Sequence, residues 1–244
     1  MLNFTIYDYP VIGSTNDEVK LLLTQGASEG TVVRAQRQTA GRGRRGRPWI
    51  SEPGNLYCSL LLTPRCPLAQ ANQLSFVMAV AVGQTILPFL TSPEVLSYKW
   101  PNDLLLQKAK VAGILIETES ERGQLTETCV VGIGMNINVV PDHPVYPVTA
   151  LNQHTELNLI QDVLFSALLD QIKHYYDVWQ QEGFAPIREA WKKRAHGLGQ
   201  NMIVRIGNQE MSGQFVDISP EGALLLKKED GSISALMSAE ILAA

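Results

Sequence analysis

The residues best suited to chemistry in this 244-residue chain form one short basic loop, GRGRRGRPW, which runs from Gly41 to Trp49. Six of the eleven arginines lie between Arg34 and Arg47, and no acidic residue interrupts the stretch from Thr31 to Ile50. Glycine leaves backbone amides free to approach an anion, and each guanidinium presents a planar fork of donors that matches carboxylate or phosphate oxygens. Because the whole chain has a formal charge of −4, the positive charge is local and favours a binding site for a polyanion.

Composition leaves two other interpretations of this loop open. A solvated basic loop without any ligand would have the same residues, and arginine- and glycine-rich segments also bind nucleic acid. A nucleic-acid-binding module predicts tight, salt-dependent binding to oligonucleotides, whereas one basic loop in an acidic chain predicts little of it. Trp49 adds a flat face on which a base can stack. The loop alone therefore indicates an anion site without naming the anion.

The overall composition indicates a globular protein. With 45% hydrophobic and 18% charged residues, the chain can bury a large core and has room for one large domain and a small second one. Its longest apolar stretch, Phe76 to Leu90, is interrupted by polar residues and Pro88, and it falls short of the roughly 20 apolar residues that cross a bilayer. The N-terminus lacks the basic start and apolar stretch of a signal peptide. We therefore expect a cytoplasmic protein that is not held in a membrane.

Cysteine and histidine patterns point to neither a disulfide framework nor a zinc site. Cys58, Cys66 and Cys129 are too few and too scattered for paired bridges, and none forms a CxxC pair. We expect them to be reduced, with Cys58 and Cys129 in the core. The four histidines show no HExxH or paired-ligand spacing, so histidine-centred chemistry is not expected.

Hydrophobic periodicity predicts mixed α and β structure in the first half of the chain. Thr15 to Glu18 has the form of a capping box, which begins a short helix that ends near Gly26. The segments predicted after it are strands at Thr31–Gln36 and Asn55–Thr63, an apolar helix at Ala69–Leu90, and short strands at Val95–Trp100, Asp103–Leu106, Val111–Glu117 and Val130–Val140. Gly132 and Gly134 interrupt the last strand, which indicates either a ligand against the backbone or close packing of two chains.

The second half is predicted to be helical and then rich in strands. An amphipathic helix is expected at Asn158–Gln181 and another at Phe184–His196, after which Gly197 and Gly199 punctuate the chain. Short β-like runs joined by Gly, Pro and Asp turns follow. We expect this tail to form a small, separate β-barrel.

Two further motifs hold candidate site residues. KWPND ends in Asn102 and Asp103, and the Asn102 amide can either read an adenine edge or stabilise a hairpin. In KVAGILIE, Lys110 opens an apolar strand that contains Gly113. Such a lysine is usually a solvated edge charge. Close to the arginine loop, it becomes a candidate for binding the same anion.

Together these motifs closely resemble those of the biotin protein ligases. GRGRRGRPW, KWPND, KVAGILIE and GIGMNIN occur in this order and spacing, with Ser14-Thr15-Asn16 near the start, and the resemblance covers nearly the whole chain. It implies an α+β fold, with a mixed sheet flanked by helices like that of class II aminoacyl-tRNA synthetases in residues 1–196 and a small SH3-like β-barrel in residues 197–244. Some members also carry an N-terminal DNA-binding domain, and the few residues before Ser14 imply a form without it. The VTALN segment after Pro147 departs from the family pattern.

The resemblance implies an ATP-dependent ligase that activates biotin as biotinyl-5'-AMP and transfers it to a lysine of a biotin carboxyl carrier protein of acetyl-CoA carboxylase. ATP and biotin are the substrates and Mg²⁺ is the expected metal, while DNA and membranes are not expected as partners. Monomer and homodimer both stay open. A lipoate or octanoate ligase, which shares the fold, is the nearest alternative, and the complete arginine loop and KWPND favour biotin over it.

The resemblance also assigns site residues. The catalytic residues are Lys110 and Arg42. Those assigned to biotin are Ser14, Thr15, Asn16, Gln38, Arg42, Gly43, Arg44, Lys110, Gly113 and Gly132. Those assigned to ATP are Arg42, Arg44, Arg45, Arg47, Trp49, Asn102, Lys110 and Asn136. Helix capping is the alternative role for Ser14 and Thr15. Arg45 and Arg47 either hold pyrophosphate or stay solvated. Asp103 orients Lys110, binds magnesium or stabilises its turn.

Overall fold

The main sheet of the protein is mixed and has eight strands. The computed structural model describes residues 2–122, 125–142, 144, 146–159 and 161–243. The strands are β1 (Thr5–Ile12), β2 (Thr31–Gln38), β3 (Leu56–Leu62), β4 (Cys66–Pro67), β5 (Leu96–Lys99), β6 (Asp103–Leu106), β7 (Ala109–Arg122) and β8 (Leu125–Met135). Their order is β1-β2-β3-β8-β7-β6-β5, with β4 paired to β8. Only β1 and β2 run parallel among these described pairs, so the expected mixed sheet is confirmed.

Helices supply the other side of the core. They are α1 (Thr15–Thr24), α2 (Leu68–Ala71), α3 (Leu74–Ile86), α4 (Gln161–Glu182) and α5 (Phe184–Lys192). Helix α3 is apolar on nearly every side because it packs between the sheet and the pair α4 and α5. Phe76 of α3 meets Phe184 and Trp191 edge to face, with ring centroids 5.3 and 5.1 Å apart. This packing makes the sheet a rigid platform for the residues on its opposite face.

The C-terminal segment forms a second, five-stranded antiparallel sheet. Its strands are β9 (Asn201–Ile206), β10 (Gln209–Ile218), β11 (Leu224–Lys227), β12 (Ile233–Leu236) and β13 (Glu240–Ala243), in the order β12-β11-β10-β9-β13. Within residues 201–243 the two edge strands are not paired with each other, so the sheet does not close into a complete barrel. The indole of Trp100 donates to the carbonyl of Gly222 at 3.1 Å, and this bond joins the second sheet to the first.

Several local predictions differ from the structure. The capping box is wrong: α1 begins after Ser14, whose side chain makes no capping bond. The single apolar helix is also wrong, because α2 and α3 are separate and a 3-10 turn at Leu87–Phe89 ends α3 around Pro88. Strand β7 extends beyond both ends of the predicted Val111–Glu117. Strand β8 ends at Met135, short of Val140, and the start of the predicted helix at Asn158–Gln181 includes residue 160, which lies outside the described residues.

Two coarser expectations can be compared directly with the structure. Cys58, Cys66 and Cys129 are free thiols, and all three are buried, as predicted for Cys58 and Cys129. In the described parts of the chain, no helix combines the length and apolar character that crossing a membrane requires.

Candidate functional site

One cavity of about 800 Å³ lies over the face of the main sheet where β7 and β8 run side by side. Its walls come from the arginine loop, the start of α1, the turn between β5 and β6, and strand β13. The cavity is lined by every predicted site residue, namely Ser14, Thr15, Asn16, Gln38, Arg42, Gly43, Arg44, Arg45, Arg47, Trp49, Asn102, Lys110, Gly113, Gly132 and Asn136. The structure therefore brings together residues that are as far apart as 122 positions in the sequence.

The inner end of the cavity is a network of neutral side chains. Gln38 Oε1 accepts hydrogen bonds from the amide of Thr15 at 2.8 Å and from its hydroxyl at 3.0 Å. The Ser59 hydroxyl, from the central strand β3, lies 2.7 Å from Thr15 Oγ1 and 2.5 Å from Asn16 Oδ1, and its one proton is donated to one of the two. Ser14, Thr15, Asn16 and Ser59 are all buried. Buried polar groups that are already hydrogen-bonded hold fixed positions, so this end is preorganised to meet a small polar ligand.

Ser59 is a residue that the sequence reasoning missed. It is the one polar position in LYCSLLL, the fully buried β3. A hydroxyl inside such an apolar strand indicates a hydrogen-bond partner next to the strand, because burying a hydroxyl without a hydrogen bond is costly. The hydroxyl of Thr15 is bonded to Gln38 and contacts Ser59, and it does not cap α1.

The floor of the cavity is made of glycine. Gly113 of β7 and Gly134 of β8 are direct cross-strand partners. A Cβ atom on Gly134 would lie 2.5 Å from Cε2 of Trp49, and one on Gly113 would lie 3.0 Å from Trp49 Cζ3. A Cβ on Gly132 would collide with the Asn16 side chain. The absence of side chains thus lets Trp49 and Asn16 lie directly on the sheet. A ligand against this backbone stays a prediction.

Lys110 lies at the centre of the cavity. Its backbone is held by the segment after Pro147, since its amide donates to the Pro147 carbonyl and its carbonyl accepts from Thr149, both at 2.9 Å. Its Nζ makes an ion pair with Asp103 Oδ1 at 2.7 Å and lies 5.2 Å from the ring centroid of Trp49. The ammonium is therefore fixed in place by a carboxylate and an aromatic face. Thr149 of the VTALN segment supplies one of these two backbone bonds, and Pro147 just before it supplies the other.

Arg42 is bound to the inner end of the cavity by two carboxylates. Its guanidinium donates twice to Asp17, at 2.7 Å each, and to Glu117 Oε2 at 3.0 Å. The Asp17 hydrogen bonds raise the pKa of Arg42 well above its ordinary value, although burial acts against them. Burial raises the pKa of Glu117, but hydrogen bonds from Asn16 and Arg42 outweigh it, and the net pKa is lowered.

Asp17 and Glu117 were missed by the sequence reasoning, although both stand within or beside its motifs. Asp17 directly follows Ser14-Thr15-Asn16, and Glu117 is the last residue of KVAGILIE. Their contacts with Arg42 span 25 and 75 residues, so the sequence offered no local signal for the pairing. Both side chains join the arginine loop to the neutral network, because Glu117 also accepts from Asn16 Nδ2 at 2.6 Å.

Arg44 differs from Arg42 because it has no carboxylate within ion-pair distance among the described residues. It is half-buried, and its donors reach Asn102 Oδ1 at 3.3 Å and Ser238 Oγ at 3.4 Å. Burial lowers the pKa of Arg44, and the neighbouring charge of Arg45 lowers it further. A guanidinium that is removed from water without a counter-ion attracts an anionic ligand strongly.

Arg45 and Arg47 contact the second sheet. Arg47 pairs with Glu240 Oε1 at 2.5 Å and Arg45 with Glu240 Oε2 at 3.7 Å. Arg45 has a left-handed backbone, with φ of 57°. Glu240 is more than 190 residues from the loop in sequence, so no local pattern identifies it. This contact makes β13 part of the cavity wall.

The two asparagines assigned to ATP both hold backbone in this structure. Asn102 Nδ2 donates to the carbonyl of Ile114 at 2.7 Å, and Asn136 Nδ2 donates to the carbonyl of Thr149 at 3.2 Å. Asn136 is buried, whereas Asn102 is partly exposed to the cavity. Their proposed contacts with a nucleotide stay predictions.

A mixed sheet with a glycine floor, a central lysine and a cationic loop defines an enzyme site for a carboxylate or a phosphate. Residues 9–136 match the biotin/lipoate A/B protein ligase family, and residues 197–242 match the biotin protein ligase C-terminal domain. The chain belongs to the biotin/lipoate A/B protein ligase family, and its C-terminal segment is that of the biotin protein ligases.

Individual relatives agree with this assignment. The biotin–[acetyl-CoA-carboxylase] ligase of Paracoccus denitrificans is 40% identical over 223 residues, which cover 89% of this chain and 92% of that protein. The bifunctional ligase/repressor BirA of Bacillus subtilis is 35% identical over 240 residues, or 96% of this chain and 72% of that protein. The biotin protein ligase of Aquifex aeolicus, solved in complex with biotin and ATP, superposes with a TM-score of 0.85 at 27% identity over 98% of this chain and 99% of that one.

Proposed function

We propose that this enzyme activates biotin with ATP as biotinyl-5'-AMP and transfers the biotinyl group to one lysine of a biotin carboxyl carrier protein. The observation that carries the proposal is that Lys110, the neutral side chains around Thr15 and the arginine loop all line one cavity, in which Asp103 holds the Lys110 ammonium. A carboxylate bound beside the neutral side chains and a phosphate bound by the arginines would meet at Lys110 Nζ. The names of the relatives and the ligands of the Aquifex aeolicus ligase support the same substrates.

The first reaction joins two anions. A carboxylate oxygen of biotin attacks the α-phosphorus of ATP, and the bond from that phosphorus to the oxygen of the β-phosphate breaks, so that pyrophosphate leaves with the electron pair. Like charges oppose this approach, and charge builds up on the phosphoryl oxygens in the transition state. Cations fixed in place offset both effects. Lys110, Arg42 and Arg44 are cations on the wall of this cavity, and Arg42 also contacts Ser14 at its inner end.

In this scheme Lys110 contacts the carboxylate and the α-phosphate and later polarises the acyl carbonyl. Its ion pair with Asp103 holds the ammonium in place before the ligands arrive. Arg44 has no carboxylate partner in the described residues, and it would gain an anionic partner when the phosphate binds. Arg42 is already neutralised by Asp17 and Glu117, so we assign it chiefly to closing the loop over the biotinyl group. Closure excludes water, which would otherwise hydrolyse the mixed anhydride.

The neutral end suits the ureido ring of biotin. That ring has N–H donors and a carbonyl acceptor, and each needs a partner when it is buried. Ser14, Thr15, Asn16 and Gln38 present both donors and acceptors there. Gly113 and Gly132 let Trp49 and Asn16 lie against the sheet, which leaves room in front of these side chains for the flat ring and the alkyl chain.

Magnesium fits this site as a companion of ATP. Mg²⁺ commonly binds through one or two carboxylates and the substrate phosphates, with several waters retained. In the described part of the chain no three metal-binding side chains cluster together, and the carboxylates of Asp103 and Asp142 line the cavity. Asp103 would hold the ion, which neutralises charge on the bridging phosphate oxygens when it is bound.

The second reaction is an aminolysis. The neutral amine of the carrier lysine attacks the acyl carbonyl of biotinyl-5'-AMP, a C–N bond forms, and the C–O bond to AMP breaks. The nitrogen then loses its proton to solvent. AMP is a far better leaving group than the oxide of a free carboxylate, which is why activation is needed.

Mass spectrometry tests the function directly. The protein is incubated with biotin, ATP, Mg²⁺ and a biotin carboxyl carrier domain, and the domain is expected to gain one biotin on a single lysine. Replacement of biotin by lipoate is the control, and calorimetric titration of the two acids gives their relative affinities. Acylation with lipoate instead of biotin would contradict the substrate assignment.

Some finer expectations stay predictions. The division at residue 197, a homodimer paired through the sheet, and the lack of DNA binding are among them. The three free, buried cysteines support a place in the reducing cytosol. Sedimentation of the protein with and without its ligands would test the homodimer. Oligonucleotide binding measured over a series of salt concentrations would test the lack of DNA binding.

A further inference from the structure

A second group of basic side chains lines the part of the cavity bounded by β5, the β6–β7 turn and β13, which we call its outer end, and the mechanism above leaves this group unused. Lys99 is the last residue of β5, Lys108 lies in the turn between β6 and β7, and His196 follows α5. All three line the same cavity as Lys110. Lys99 Nζ reaches the carbonyl of Ile241 at 3.4 Å, so this group lies where the main sheet meets β13.

The charge of this group is not balanced by a carboxylate. Across the described ranges of the chain, neither Lys99 nor Lys108 has an acidic partner within 4.0 Å, whereas Lys110 pairs with Asp103. Burial lowers the pKa of His196, and the charges of Lys99 and Lys108 lower it further. The imidazole is therefore neutral at pH 7 and keeps one N–H donor. Two ammonium groups and a donor at the mouth of a cavity form a site for a polyanion.

We infer that Lys99, Lys108 and His196 bind the β- and γ-phosphates of ATP and hold pyrophosphate as it leaves. This inference rests on the proposed function. In phosphoryl and nucleotidyl transfer, the attacking and leaving oxygens lie roughly in line with the phosphorus. The biotin carboxylate would arrive from the neutral inner end, beyond Lys110. On this arrangement the leaving group would point away from Ser14, Thr15 and Asn16, towards the wall that Lys99, Lys108 and His196 share with β13.

The alternative candidates for pyrophosphate are Arg45 and Arg47. Both are paired with Glu240, and their side chains are about half exposed, with exposed fractions of 47% and 55%. Guanidinium groups that are neutralised by a carboxylate attract an anion less than uncompensated ammonium groups do. The outer lysines are therefore the better site for the leaving group.

Pyrophosphate exchange separates this role from the others. In Lys99→Gln and Lys108→Gln, the KM for pyrophosphate and the KM for ATP in biotin-dependent exchange should rise about tenfold, because each variant loses one charge-assisted contact. The Kd for biotin should not change. Transfer from preformed biotinyl-5'-AMP to the carrier involves no pyrophosphate, and its rate and KM should equal those of the wild type.

The matched control is Lys227→Gln, an exposed lysine of β11 outside the cavity, which should behave like the wild type in all assays. Lys108 lies in an exposed two-residue turn, so its variant keeps the fold even if Lys99→Gln does not. Unchanged KM values for pyrophosphate and ATP in both variants overturn the inference. A raised KM for the carrier with preformed adenylate overturns it too, because the lysines would then contact the carrier. A wild-type protein without exchange refutes the proposed function itself, and the inference falls with it.

Discussion

The inner and outer ends of the cavity bind by different physical means. At the inner end, Thr15, Asn16 and Ser59 are neutral and buried, Gln38 is partly buried, and the four are already hydrogen-bonded to one another. At the outer end, charged side chains predominate, and Arg44 has no carboxylate partner in the described structure. The inner end is complete before a ligand binds, whereas the outer end needs the ligand's charge to balance its own.

This difference predicts how each end responds to change. A preorganised neutral pocket discriminates by shape and by hydrogen-bond pattern, and salt has little effect on it. A cationic loop attracts anions over a longer range, and salt weakens that attraction. Lys110 lies at the boundary, so its loss should affect both substrates.

The largest effect is expected from Lys110→Ala. Biotin-dependent ATP–pyrophosphate exchange should fall by about 10²–10³-fold or more, because a fixed cation is lost where charge develops. The unfolding temperature should change little, since the lysine side chain lines a cavity and is not part of the buried core. Exchange within a few-fold of the wild-type rate would refute the role of Lys110, and Lys227→Ala serves as the control.

A smaller effect is expected from Gly134→Ala. The added methyl group would lie 2.5 Å from the Trp49 ring, so the indole must move away from the floor. Overpacking of this kind costs about 1–3 kcal/mol, which corresponds to a loss of about tenfold to a hundredfold in adenylate formation. Gly113→Ala should cost less, because one of its neighbours is the flexible end of Lys110. If Gly134→Ala were as active as the wild type, the indole would not be part of the working site.

At the neutral end, Asn16→Ala should weaken biotin binding. The change leaves the buried Ser59 hydroxyl and the ligand short of a partner, and such losses cost about 1–3 kcal/mol, or roughly a tenfold rise in Kd. The KM for ATP should stay the same, and the effect should not depend on salt. The exposed Asn158→Ala is the matched control. A salt-dependent loss, or an equal loss of ATP affinity, would show that the two ends are not distinct.

The smallest effect is expected from Glu240→Gln. Glu240 anchors Arg45 and Arg47, and the Arg47 hydrogen bond lowers the pKa of this carboxylate. Without the anchor, the loop must be ordered by the ligand alone, so the KM for ATP should rise. Exposed ion pairs contribute about 0–1 kcal/mol, which limits the rise to about fivefold. This rise in KM should be smaller in about 0.5 M salt, because salt screens the ion pair of the wild-type protein as well. A rise in KM that does not depend on salt would exclude an ionic anchor.

Much of the fold and most of the site residues could be predicted from the sequence. Alternating and apolar runs identified β2, β3, β6 and the long helix α4, because periodicity reports which face is buried. The site residues came from motif resemblance, and the structure gathers them all in one cavity. Local propensity was less reliable at helix ends. Thr15 lies in a capping-box sequence, but its hydroxyl is hydrogen-bonded to Gln38 and contacts Ser59 instead of capping α1.

The counter-ions could not be predicted in the same way. Asp17, Glu117 and Glu240 reach the arginine loop only through the fold, and their contacts span 25, 75 and 193 residues in sequence. Each is an ordinary surface carboxylate when it is read alone. The pairing of Gly113 with Gly134 depends likewise on the register of β7 and β8. Such contacts depend on the topology of the fold, which a local sequence pattern does not predict.

A crystal structure with biotin and a non-hydrolysable ATP analogue is the most direct measurement. The ureido ring is expected among Asn16, Thr15 and Gln38, with the α-phosphate within hydrogen-bond distance of Lys110 Nζ and the arginine loop closed over both ligands. If the two ligands lay elsewhere, with that loop turned towards solvent and Lys110 still bound only to Asp103, the site described above would be the wrong one.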